Sequence, residues 1–284
     1  MALMLVSSGL FKASAQSTQR YKVAVADIMI LKRQKIGEFQ LTKEIGADGV
    51  ELDMGGLGDR ETFDSQLVND TSRRNFLAKA KEFNVEICSM GMTGFFSQSF
   101  ATRPTAVKAV SDCITTMQQM GVKVGFLPMG INSDLTKNPE LRPAIVSRLK
   151  EVGKLAEKAG VVIGIETTLD AMAERALLKE VGSPAIKSYF NFQNALDNGR
   201  DLEKELETLG AKNIIMIHCT DTDGELLQND PKIDMKKVKA TLDKMGWGGW
   251  LVIERSRDVK DVHNVKMNFG ANSVYVKSIF QTAK

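Results

Sequence analysis

At 284 residues the chain is long enough for one large α/β domain with a sizeable core. Its hydrophobic fraction of 43% and charged fraction of 26% are those of an ordinary soluble globule, and 38 basic against 35 acidic residues leave a net charge of only +3. That balance provides no concentrated basic face for nucleic acid, and 6% aromatic residues provide no stacking platform for single strands.

Residues 1–16 read as a signal peptide or leader. Ala2 to Phe11 is mostly apolar and runs into Ala13-Ser14-Ala15, a small-residue cleavage site, so a mature start near Gln16 or Ser17 is expected. The run is too short to span a bilayer permanently, so no stable membrane insertion is expected. It has no basic residues ahead of it, and Lys12 interrupts the approach to the cleavage site. A signal here means a periplasmic or secreted protein; without one the chain is cytoplasmic.

From Tyr21 a strand–loop–helix–turn pattern repeats, expected to form one domain over residues 20–284. The first strand is Tyr21 to Ala26, followed by a helix reaching Ile45 and stopped by Gly46. Strand two is Gly49 to Leu52, and its helix, Ser72 to Phe83, takes a Thr71/Ser72 cap. Strand three is Val85 to Met90. The third helix starts after Pro104 and ends at Gly121. Strand four, Val122 to Leu127, precedes a helix from about Pro139 to Ala159. Strand five ends at Glu166, with a helix over Asp170 to Val181; strand six ends at Asn191, with a helix over Asp201 to Leu209. Strand seven ends at His218, and its helix runs from Asp234 to Met245. Strand eight ends at Glu254, and the last helix reaches the C-terminus.

Eight units of roughly 30 residues each predict a (β/α)8 TIM barrel. The competing architecture is an open doubly wound sheet, but no Gly-x-Gly-x-x-Gly follows strand one. Turns before strands are short and rich in glycine, as at Ala159-Gly160. Loops after strands are longer, as from Gly91 to Arg103 and from Cys219 to Pro231. Function is expected on that second side. Trp247 and Trp250 flank the turn before strand eight, on the far side, and are expected to pack helices. Met117 and Met120, at i and i+3, are expected in the core. Cys88, Cys113 and Cys219 lack metal-ligand spacing; Cys88 and Cys219 read as small core residues.

Four of the buried runs end in groups that hold cations: Glu166, Asn191, His218 and Glu254. If their strands lie parallel and adjacent, two carboxylates, an amide and an imidazole converge on one point. That set suits a divalent metal such as Mn, Co, Zn or Mg. Unpaired carboxylates there cost several kcal/mol; the alternative is a structural network with Arg255 or Lys187. Glu51 and Asp53 end strand two and either contact substrate hydroxyls or cap a turn. Arg257 binds a substrate group or is simply exposed.

The strand ends Gly164-Ile165-Glu166, Tyr189 to Asn194, Ile217-His218 and Val252-Ile253-Glu254, with Asp48 to Leu52, resemble the xylose isomerase-like TIM barrel superfamily, the sugar phosphate isomerase/epimerase group. The resemblance covers nearly the whole mature chain. It implies a metal-assisted isomerase or epimerase acting on a small-molecule carbohydrate through an enediolate. The implied metal ligands are Glu166, Asn191, His218 and Glu254, with Glu166 and Glu254 as the acid/base pair and Glu51, Asn194 and Arg257 binding substrate. The group usually carries Asp where this chain has Asn191, which leaves two formal negative charges rather than three and weakens a hard cation. The other readings are a lyase or hydrolase on a 3-keto-sugar and a non-catalytic carbohydrate-binding barrel. Which sugar is bound, and the oligomeric state, are not written in the sequence.

Overall fold

A computed structural model describes residues 19–281, so the expected signal peptide lies outside the described residues. Short β-branched runs form eight strands: β1 (Tyr21–Ala26), β2 (Gly49–Asp53), β3 (Glu86–Gly91), β4 (Val124–Pro128), β5 (Val162–Glu166), β6 (Ile186–Asn191), β7 (Ile214–His218) and β8 (Gly249–Ile253). All pair in parallel, each with its sequence neighbour, and β8 closes onto β1 from Tyr21↔Gly249 to Val25↔Ile253. That closure excludes the open sheet and establishes a single (β/α)8 TIM barrel.

The helices are α1 (Asp27–Ile30), α2 (Glu38–Ile45), α3 (Asp70–Phe83), α4 (Ala106–Met120), α5 (Arg142–Ala159), α6 (Ala171–Val181), α7 (Phe192–Leu196), α8 (Leu202–Leu209), α9 (Met235–Met245) and α10 (Val265–Phe280). Asp170, Asp201 and Asp234 each accept backbone N–H groups at a helix N-terminus. The cap of α3 is Asn69 rather than Thr71 or Ser72: its side chain accepts from both of their N–H groups. Apolar helix faces meet the outer barrel face in one continuous core that includes Met117, Met120 and Cys113. Phe39 of α2 and Phe76 of α3 meet edge to face at 5.8 Å, worth about 0.5–1.5 kcal/mol beyond their burial.

The barrel interior holds a second cluster: Ala24, Cys88, Phe126, Tyr189, Met216 and Val252, with Trp250 packed beneath. Trp247 packs outside the barrel as expected, but Trp250 does not join the helices. It shares strand parity with Val252 and therefore points inward. Two glycines make room for these rings. A Cβ on Gly49 would stand 2.7 Å from the Trp250 ring, and one on Gly164 would stand 3.0 Å from the Tyr189 ring.

The single helix expected between Ala26 and Ile45 is broken into α1 and α2. Between them Lys32, Arg33 and Gln34 take positive φ values of 59°, 66° and 46°, an uncommon conformation for such residues. Long-range bonds hold it: Asp27 accepts the Gln34 N–H at 2.9 Å, and the Gln34 amide donates to the Asp53 carbonyl and the Ser65 hydroxyl. Asp27 lies against Glu38 in the interior. Burial, with Asp53 nearby, pushes the Asp27 carboxyl up to about 8, and burial beside Asp27 pushes Glu38 up to about 10. Both folded values exceed the unfolded ones, so the stability tied to them is full below pH 4 and is lost as pH rises towards 8 and beyond. Asp27→Asn keeps the acceptor for Gln34 and removes one of these protons. We expect its Tm to exceed the parent's at pH 8, with the gap narrowing by pH 4. Thermal melts across that range check this, and a gap independent of pH contradicts it.

Candidate active site

The parallel register sets the polar strand ends level: Asn191 pairs with His218, and His218 with Val252, two residues before Glu254. His218 is 0% exposed at the centre. Its Nδ1 stands 3.1 Å from Glu166 Oε2 and 3.9 Å from Glu254 Oε2, and its Nε2 stands 3.3 Å from Glu51 Oε1. The rings of Tyr189 and Phe126 pack on it with centroids 4.5 and 4.7 Å away. Desolvation opposes charge on the imidazole, but Glu51, Glu254 and Glu166 outweigh it and hold His218 well above its ordinary value.

The carboxylates are in unlike surroundings. Burial raises Glu254, with the nearby Glu166 adding to the effect and His218 opposing it. Burial works against charge on Glu51 as well, but there His218, Tyr189 and Ser89 prevail and lower it. Tyr189 Oη and Ser89 Oγ each donate to Glu51 Oε2 at 2.7 Å. Glu51 thus lies beneath the imidazole and holds it, rather than standing at the cavity wall. Glu166 Oε2 accepts from Asn191 Nδ2 at 2.9 Å, while its Oε1 has no hydrogen bond among the described residues.

Glu166 faces a cavity of about 450 Å³ on the C-terminal side of the barrel. Phe96, Met129, Ile131 and Leu135 form its apolar wall, and Asn194 and Arg255 are among its polar groups. Another cavity, about 540 Å³, opens at the opposite end among Lys187, Lys212 and Asn213, away from the carboxylates. Of the substrate-binding residues expected from the sequence, Asn194 lines the cavity near Glu166. Arg257 instead closes on Asp223, Nη2 to Oδ2 at 2.5 Å and Nε to Oδ1 at 3.0 Å. Asp53 accepts from the Gly55 N–H at 2.7 Å and pairs with Arg33 at 3.0 Å, a turn-holding role. Sequence reasoning passes over Tyr189, although it lies two residues before Asn191 and so on the same strand face. It weighs Arg255 only as a structural partner.

The donor types suit a divalent cation, but their placement does not. Asn191 Oδ1 accepts the Gln193 N–H at 2.9 Å as the N-cap of α7. Its amide nitrogen and His218 Nδ1 both close on Glu166 Oε2. Among the described residues no group of three or more His, Cys, Asp or Glu is placed to hold a metal ion. Asn191→Asp replaces the N–H by a carboxylate, which repels Glu166 until a cation enters. We expect the variant to bind Mn²⁺ on the order of tenfold more tightly than the parent. Added Mn²⁺ should also raise its Tm more. Equal affinities by calorimetry contradict the expectation.

A TIM barrel with buried carboxylates and an imidazole at the C-terminal mouth has its polar centre where enzymes of this fold place their chemistry. The family described as xylose isomerase-like TIM barrel matches residues 39–271, and the chain belongs to it. It is 28% identical over 164 residues to a 2-epi-5-epi-valiolone 7-phosphate 2-epimerase of Actinoplanes sp.. The match takes in 57% of this chain and 58% of that curated relative's length. In fold it is similar to D-psicose 3-epimerase of Clostridium cellulolyticum H10, seen with D-tagatose (TM-score 0.73, 14% identity, 91% of this chain and 99% of that one). It is also similar to 3-keto-D-glucoside 4-epimerase of E. coli in its apo form (TM-score 0.72, 15% identity, 91% and 99%).

Proposed function

We propose that the protein is a carbohydrate epimerase that inverts a carbon next to a ketone by proton transfer between Glu166 and Glu254. The observation that carries this reading is that the two carboxylates share one imidazole nitrogen, His218 Nδ1. The epimerase names of the curated relative and of the structural neighbours support it.

In this reading Glu166 Oε1, without a hydrogen bond among the described residues, takes the proton from the carbon beside the carbonyl. The C–H electron pair becomes the C=C bond of an enediolate, and the carbonyl oxygen takes the negative charge. Glu254, the carboxyl that burial favours in its protonated form, delivers a proton to the opposite face. A buried carboxyl that favours its protonated form is suited to act as the acid. His218 keeps both aligned, and Glu51, Tyr189 and Ser89 keep His218 aligned. The side chains as placed among the described residues are turned to one another rather than to a divalent cation.

The test is incubation with free ketoses, phosphorylated ketoses and 3-keto-sugars in deuterated water. Deuterium at the carbon next to the carbonyl, together with the inverted epimer, is the expected result. Tight sugar binding with no exchange contradicts it and favours a binding barrel; loss of a substituent from a 3-keto-sugar favours a lyase or hydrolase.

A further inference from the structure

An enediolate needs a positive partner at its oxygens, and the carboxylates and Asn191 do not supply one. Arg255 follows Glu254 directly and lines the same cavity as Glu166 and Asn194. Its backbone is fixed, the N–H donating to Thr220 Oγ1 at 3.1 Å and the carbonyl accepting from Asn272 at 3.4 Å. Its guanidinium, in contrast, closes no ion pair and donates no hydrogen bond among the described residues. The neighbouring Arg257 is taken up by Asp223 at both ends of its fork. The other cavity cation, Lys137, is 71% exposed in its side chain and leans on Asp134 at 3.7 Å. Arg255 therefore carries the one guanidinium of that cavity available to a ligand, and the side-chain amide of Asn194, on the same cavity wall, is likewise without a hydrogen bond among the described residues. The Arg255 charge reaches Glu254, whose rise it opposes, and more weakly than Arg257 it also lowers Asp223.

We infer that Arg255, with Asn194, binds the two adjacent oxygens of the enediolate, the former carbonyl and its neighbouring hydroxyl. The inference rests on the epimerase reading. A guanidinium fork matches two coplanar oxygens and remains charged at any working pH. No covalent bond to Arg255 forms: its N–H groups meet the oxygen that receives the electron pair and release it when Glu254 protonates the carbon. This role makes Arg255 a catalytic residue and specifies substrates with a hydroxyl beside the ketone.

Two measurements test it. The first is calorimetric titration with oxalate, a planar dianion with oxygens on adjacent carbons, at pH 7. We expect Arg255→Met to bind oxalate at least about tenfold more weakly than the parent, in line with one lost charge-assisted pair. Arg255→Lys should fall between them, and Arg257→Lys, which keeps a cation on Asp223, should match the parent. A parent that binds no oxalate, or an Arg255→Met variant that binds it equally well, overturns the inference. The second uses whichever ketose exchanges deuterium. Arg255→Met should lower kcat by about 10²–10³-fold, as for loss of an oxyanion donor, with KM little changed and partial recovery on adding guanidinium ion. A rise in KM alone overturns the inference. Absence of exchange from every ketose in the parent contradicts the epimerase reading, and the oxalate titration then decides on Arg255 independently.

Discussion

With Glu166 and Glu254 as the proposed proton-transfer pair, Glu166→Gln and Glu254→Gln should each lower kcat/KM by about 10²–10⁴-fold, the usual worth of one positioned proton-transfer group. The two should differ in what survives. With Glu166 as base, Glu166→Gln loses deuterium exchange from the substrate epimer. Glu254→Gln retains exchange of that epimer, because Glu166 still removes and returns a proton on one face, but makes no inverted product. NMR of each epimer in deuterated water separates the two. Unchanged epimerisation in either variant contradicts the assignment. Both substitutions keep the volume of the native residue, and the new amide oxygen in Glu166→Gln can still accept from Asn191, so folding should survive.

The eight strands and their order were legible because each is a short apolar run, and glycine-punctuated helix ends precede several of them, as at Gly160 and Gly210. The convergence of Glu166, His218 and Glu254 was legible because the last inward residue of a parallel strand faces the mouth. The break between α1 and α2 was not. Lys32-Arg33-Gln34 contains neither glycine nor asparagine, and its conformation is held by Asp53 and Ser65, far away in sequence. The difference between Arg255 and Arg257 was hidden for the same reason: Asp223, on another loop, decides which guanidinium is taken. The role of Glu51 was hidden because alternation along a strand specifies its face but not its partners, and Ser89, Tyr189 and His218, on three other strands, take up its carboxylate.

The largest loss of stability should follow from His218→Leu. The imidazole separates Glu51, Glu166 and Glu254, all buried, and its removal leaves them facing one another. Breaking such a buried charge cluster costs about 3–5 kcal/mol, read as a lowered denaturation midpoint at unchanged slope. Glu51→Gln in the same chain should recover part of the loss, because one uncompensated carboxylate is then gone. A loss below about 1 kcal/mol, the range of an exposed pair, contradicts the picture of His218 as the charge that holds the centre together. The sign with pH follows: the folded value of His218 is raised, so its contribution is full below the ordinary histidine range and is lost as pH climbs through the raised value.

Asn191 has two partners, capping α7 with its oxygen and steadying Glu166 with its nitrogen. Aspartate caps helices as well as asparagine does, so exchange between the two leaves the helix cap in place and replaces the N–H donated to Glu166 by a second carboxylate. The codons for these residues differ by one base. The gain in Mn²⁺ affinity expected of Asn191→Asp is therefore a single nucleotide change away and asks for no remaking of secondary structure.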